Sequence, residues 1–471
     1  MNLKRKLWWA QHRHDVYKYG TILSLVLIVT ISIIYFTYSK FSSTNEATAY
    51  ETTVEPFIKN DYFIASYIDG EWSNEIPGKD DGYVVDKIVC DNGATGTWDN
   101  EEWGINIRNA TKKIKCSVFF IIPPVPIVEK ITTLATTDTT NFATDDADNN
   151  IRYIGANPNN YVYFNCSDYS NQSDSTCEKW RIIGVFKNVT KSDGSKEDLV
   201  KIVKDDSLGN ISWDYKKNGV GTSTTDYGSN DWTDSQLMMM LNPTDYLKSG
   251  YTIDNNIVKD SNGQAIYQNM GSYYNGTSGC KTAAVASGAD FTCTSIDFTS
   301  TGLKNDSTRN AIESVVWNLG GTASYNSASN GLASHWYGYE RGTTVYSGRP
   351  TTWTGKIGLM YPSDYGYATS GGSTTDRAAC LAKELYNWDG SGVSDCKNND
   401  YLYKSSYYQW ALTPLSSLAN AVFYVSTRGC VNRYDALYVT YSVRPVVFLK
   451  SNILISSGDG SSITPYHLSV N

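Results

Sequence analysis

An uncharged apolar run, TILSLVLIVTISIIYFTY at residues 21–38, limits what this chain can be more than any other feature. As an α-helix it would reach about 27 Å at about 1.5 Å per residue, enough to cross the hydrocarbon core of a bilayer. Lys4, Arg5, Lys6, Arg13 and Lys18 precede it, and only Lys40 follows closely. That excess of cations puts the N-terminus in the cytoplasm and everything after the run outside. A cleaved signal peptide would have the same orientation, but FTYSKF offers no small-residue cleavage site, so an uncleaved anchor is expected. The sequence predicts a cytoplasmic tail at 1–18, a transmembrane helix at 19–39 with the lipid bilayer as its partner, and an extracellular remainder. Such a chain is a single-pass cell-membrane protein.

Beyond residue 40 there are 34 basic and 47 acidic residues, a net charge of −13. Such a surface repels phosphate backbones and excludes nucleic acid as a partner. The 36 tyrosines are mixed with Ser, Asn, Gly and Thr rather than with Lys and Glu, a composition closer to a paratope than to a cytosolic enzyme. The nine cysteines fall into local couples: Cys90 with Cys116, Cys166 with Cys177, Cys280 with Cys293, and Cys380 with Cys396, leaving Cys430 alone. In an oxidising exterior such couples read as disulfides, and no CxxC or Cys/His cluster suggests zinc.

The expected fold class is α+β in two modules after the anchor. Residues 52–122 alternate apolar-aromatic runs (YFIASYI, YVVDKIVC, IKCSVFFII) with Gly, Asn and Asp turns and read as a small β module. PPVP and a Thr/Asp-rich stretch then mark a linker at 123–148. Residues 149–471 form a mixed module, with strands at YVYFN, KWRIIGVF and DLVKIVKD. Three helices are expected there. One begins at Thr233, runs through LMMML and stops at Pro243. A second starts near Ser307, with Ile312, Val315, Val316 and Leu319 on one face and Gly320-Gly321 as its stop. The third is TTDRAACLAKELY. Met238, Met239 and Met240 read as core rather than as a cofactor box.

KWRIIGVF, NDWTDSQL, GLMYPSDYGYATSGG, QWALTP and VRPVVFLKSN together resemble a domain common in anchored surface proteins of gut Firmicutes, to which no activity is assigned. At a deeper level, the helices followed by a strand-rich half with WxxTP and a final Val-Arg-Pro-Val strand resemble the C-type-lectin-like fold, shared with formylglycine-generating enzymes. The resemblance implies that the terminal strand closes the domain. Arg444 is then a structural arginine at a strand edge, and Pro445 sits where no ladder donor is needed.

No catalytic constellation stands out. His335 and His467 lie in no zinc or triad motif, and no spacing singles out a pair of carboxylates for glycoside hydrolysis. The reactive cysteine pair of the formylglycine-generating pattern is missing, since Cys430 stands alone near the end. No cofactor is expected. Calcium is the one metal worth weighing, at DDADNN (145–150) and NWDGSGVSD (387–395), although neither stretch completes an EF-hand loop. The candidate ligand-binding surface is AVFYVSTRGCVNRYDALYVTY, with Tyr424, Arg428, Asn432, Arg433, Tyr434, Asp435, Tyr438 and Tyr441 offering rigid aromatics beside adaptable polar groups. The function expected is non-catalytic, adhesin-like binding of an extracellular glycan or protein. The alternatives are a hydrolase or modifying enzyme of cell-wall or mucus polymers, and a structural surface component.

Overall fold

A computed structural model describes residues 12–15, 17–31, 62–110, 113–215, 228–281, 293–372, 376–389 and 395–470. The chain divides into two compact units, Met1–Pro123 and Pro124–Asn471. Near the N-terminus the helix His12–Ile31 is long and apolar enough to cross a bilayer. Residues 32–39 of the expected transmembrane segment, and most of the expected tail, lie outside the described residues.

In the first unit four strands form a sheet in the order Glu71–Ser73, Tyr62–Ile68, Ile114–Ile121, Val84–Cys90. Strand Ile114–Ile121 alternates buried and half-exposed positions, so Ile114, Cys116, Val118 and Phe120 make one apolar face. Cys90 lies directly opposite Cys116 in register and the two are disulfide-bonded. Trp98 on the hairpin Thr95–Asp99/Gly104–Arg108 meets Phe120 edge-to-face with ring centroids 5.1 Å apart.

The second unit is built on a seven-stranded sheet. Its main path runs Ile357–Gly358, Val446–Leu449, Lys196–Lys204, Glu178–Thr190, Ile151–Tyr153, Phe142–Ala143, and Tyr161–Phe164 also pairs with Glu178–Thr190. The three bridges Cys166–Cys177, Cys280–Cys293 and Cys380–Cys396 all form in this unit, each closing a short loop. Val446–Leu449 pairs antiparallel with both Lys196–Lys204 and Ile357–Gly358. After it, strand Leu454–Ser457 pairs with Val125–Pro126, and Tyr466 bridges to Val162, so the chain's end returns to the start of the unit. Arg444 is buried. Its Nε donates to Lys204 O at 2.8 Å, and its Nη1 donates to Gln409 Oε1 at 2.8 Å and to Leu402 O at 3.2 Å. Pro445 needs no ladder donor, and its carbonyl accepts the Lys204 N–H.

Several expectations are corrected here. The stretch read as a linker, 123–148, carries the helix Ile127–Ala135, with Ile127 and Ile131 fully buried one turn apart in the core of the second unit. Its Thr content hid an i, i+4 apolar pair. The first expected helix is shorter, Gln236–Leu241, and its cap is Ser235, whose hydroxyl accepts the Met238 N–H. All three methionines are buried in it. The second expected helix ends at Ala311, and Val315–Asn318 is a strand paired with Thr352–Gly355. Val-Val-Trp satisfies a helical face and a strand equally by spacing, and pairing with a partner strand decided it. Gly320 does not stop a helix, because a Cβ there would lie 2.2 Å from Tyr339 O; the backbone needs the close approach. The third expected helix is confined to Arg377–Leu381. Two helices had no counterpart in the sequence reading, Ala333–Glu340 and Pro362–Tyr367.

Candidate functional site

The candidate surface is carried by a three-stranded antiparallel sheet, Gln409–Pro414, Ala421–Val425 and Val431–Asp435, with the loop that follows it. Its first two strands are buried throughout, because aromatic residues such as Tyr325 and Trp336 pack against Phe423. The outer strand Val431–Asp435 is mostly open to solvent. Tyr424 and Tyr441, expected on the surface, are buried, tilted against each other at 4.6 Å between centroids and each edge-on to Trp410. They form the floor of a tyrosine cluster. Tyr434 and Tyr438 lie above it, 36% and 38% exposed, with their own rings 4.2 Å apart and Tyr434 5.7 Å from Tyr441.

Tyr408 joins the same cluster, 36% exposed and 5.0 Å from Tyr441. The sequence reading missed it, although it sits one residue before the strand that carries Trp410. Among the described residues of the second unit, the exposed large hydrophobics are Ile253, Tyr408, Leu418, Tyr434, Tyr438, Val439 and Ile463. Five of these seven belong to this sheet and its loops, so the exposure is concentrated rather than scattered.

The polar members separate. Arg428 sits at the turn joining Ala421–Val425 to Val431–Asp435, exposed, with Nη2 3.2 Å from Asp389 Oδ2. It belongs with the loop of the Cys380–Cys396 bridge rather than with the tyrosines. Asn432 is half-buried, and its Oδ1 accepts from Tyr325 Oη at 3.3 Å and from the Arg433 N–H at 2.8 Å. Arg433 is exposed opposite Phe423 in register, and Asp435, half-buried, lies opposite Ala421. Burial raises Asp435 above the usual carboxylate range against the pull of Arg433. The Tyr438 hydroxyl, and some desolvation, raise Tyr434. Tyr424 is pushed by burial to about 12, and the cluster's phenol hydroxyls can donate and accept.

Little here resembles a reaction centre. Cys430 is buried with Sγ 3.1 Å from Ser426 Oγ, and burial pushes its thiol up, away from a reactive thiolate. His335 Nδ1 accepts the Leu332 N–H at the start of a helix, and burial lowers His467. In DDADNN the carboxylates go to cations: Asp145 to Arg377, Asp146 to Arg152, and Asp148 to Arg341. Residues 390–394 of the second calcium candidate lie outside the described residues. Among the described residues no group of three or more His, Cys, Asp or Glu side chains is placed to hold a metal ion. Compared with known proteins, the chain matches no family model, no curated protein and no solved structure.

Proposed function

We propose that the chain is a membrane-anchored surface protein whose second unit, extracellular and C-type-lectin-like, binds a glycan or protein through the tyrosine cluster without chemistry of its own. The concentration of exposed Tyr408, Tyr434 and Tyr438 over a fixed aromatic floor supports this best. Rings held by packing lose little entropy on binding, and tyrosine offers an apolar face with a polar rim suited to sugar rings or peptide. Arg433 and Asp435 stand on the same outer strand, but alternation sets them on its other face, with Phe423 rather than with Tyr434. The fold part of the reading is supported by the return of Leu454–Ser457 and Tyr466 to the first strands of the unit. The cationic flank of the N-terminal apolar run supports the orientation.

The test is binding of cells displaying the full chain to mucin glycans and to host-cell surfaces, compared with the Arg433→Ala/Tyr434→Ala variant. Loss of binding with unchanged display is expected. Binding unaffected by the double substitution would reject this surface. Release of product from mucin or peptidoglycan would replace binding with hydrolysis.

A further inference from the structure

Strand Lys196–Lys204 buries each of its last six residues, and Lys201 among them has no exposed surface. Lysine is almost never fully buried without a partner. Here the partner is Asp364, the third residue of helix Pro362–Tyr367, with Nζ 2.5 Å from Oδ2. The remaining walls are rings: Tyr361 at 4.4 Å, Phe186 at 5.0 Å, Phe448 at 5.6 Å and Trp317 at 5.7 Å from Nζ. An ammonium carries three donors, and among the described residues this one finds a single oxygen acceptor. Other lysine–carboxylate pairs in the unit, such as Lys204 with Glu178 and Lys404 with Asp205, keep access to water; the Lys201–Asp364 pair is dry on both sides.

The carboxyl is also polarised. Arg152 Nη1 donates to Oδ1 at 3.1 Å, and the Tyr361 N–H donates to Oδ2 at 2.9 Å. A second buried acid, Glu340, accepts the N–H of Ser363 at 2.9 Å and the Ser363 hydroxyl, so it is held beside Asp364 in the chain. Its charge couples to both Lys201 and Asp364. The site thus holds an amine, a carboxyl in contact with it, donors on both carboxyl oxygens, a second acid and no water-facing wall.

We propose that Lys201 and Asp364 join in an intramolecular isopeptide bond. In the dry site the proton of the ion pair passes from Nζ toward the carboxyl, and the free amine attacks Cγ of Asp364. Oδ2, served by Lys201 and the Tyr361 N–H, takes that proton and becomes the leaving hydroxyl, while Arg152 Nη1 holds Oδ1 as the oxyanion of the tetrahedral intermediate. The second nitrogen proton then passes to the adjacent Oδ2 hydroxyl, which departs as water. One N–C bond forms, one C–O bond breaks, one water leaves, and no oxidant, reductant or external acceptor is needed. Burial pulls Lys201 down to about 8, so a neutral amine is accessible near neutrality. Burial also works to raise Asp364, but Lys201 and Arg152 outweigh it and hold the acid low, so the proton transfer to Oδ2 is the uphill step.

The bond spans 163 residues of chain, whereas the disulfides of this unit close separations of only 11, 13 and 16. It ties the central sheet to the helix behind it and resists reduction. This suits a surface protein pulled by whatever it holds.

Full-length protein extracted in detergent, reduced, alkylated and digested with trypsin decides the matter. The expected product is a branched peptide joining residues 197–204 to 357–377, uncut after Lys201 and lighter by one water than the sum of its parts. Lys201→Arg and Asp364→Ala should each return the two peptides unlinked. Unlinked 357–377 at full yield from the wild-type chain would overturn the bond itself, and that readout requires no variant to fold.

Discussion

Replacing Arg444 with alanine tests whether the closing strand is held by this one side chain. The guanidinium is 2% exposed and reaches three oxygens from three segments: Lys204 O, Leu402 O and Gln409 Oε1. One of these partners, and a carboxylate beside the fork, have other support nearby. Leu402 O also accepts from Gln409 Nε2 at 3.1 Å, and Asp205, 3.9 Å from Arg444 Nη2, keeps Lys404 at 2.8 Å. The loss therefore falls mainly on Lys204 O and Gln409 Oε1, each losing a charged donor worth about 1.5–3 kcal/mol. The sum is about 3–6 kcal/mol, a large share of the roughly 5–15 kcal/mol that holds a domain together. Arg444→Lys keeps the charge, but one nitrogen cannot serve all three oxygens, so about 2 kcal/mol of loss is expected. Urea unfolding followed by fluorescence of the buried tryptophans measures both variants. A shift below about 1 kcal/mol for alanine, with an unchanged denaturant slope, would refute the fork as the closing element.

Other outcomes follow from the same geometry. Burial lifts Glu340 to about 7, so as pH rises the unfolded chain loses this proton first. The stability it confers is full below about 4.3, and about 3 kcal/mol is lost as pH climbs to about 7. Glu340→Gln should flatten that slope in urea midpoints taken on either side of the window, and an unchanged slope would assign it to another group. Ile131→Ala, in the stretch that read as a linker, should cost about 2–5 kcal/mol in thermal or urea unfolding, because the side chain is fully buried. A neutral result would make that helix peripheral. Native, unreduced protein should take up no iodoacetamide at Cys430 and one equivalent on denaturation, and rapid native labelling would contradict its burial.

What could be read ahead of the structure was whatever depends on neighbours in the chain. The cysteine couples are close in sequence and pair as read. Arg444 was legible because an arginine before proline in an apolar run has few places to go except a strand edge with carbonyls to serve. Alternation failed wherever a sheet is covered on both faces. In Leu199–Lys204 polar Lys201 should point outward by period two, yet all six residues are inside. Tyr424 fails in the same way: with Phe423 on one side and Trp410 on the other, its strand has no wet face. Val431–Asp435 is the edge strand of its sheet, and there the expected residues Arg433 and Tyr434 are exposed on alternate faces. The missed helices Ala333–Glu340 and Pro362–Tyr367 are short and held by tertiary contacts rather than by a long apolar stripe. They also carry Glu340, bonded to Ser363, and Asp364, which meets Arg152 and Lys201 only after the sheet forms. Spacing has no access to a contact made across 163 residues, and it is there that the chain concentrates its buried charge.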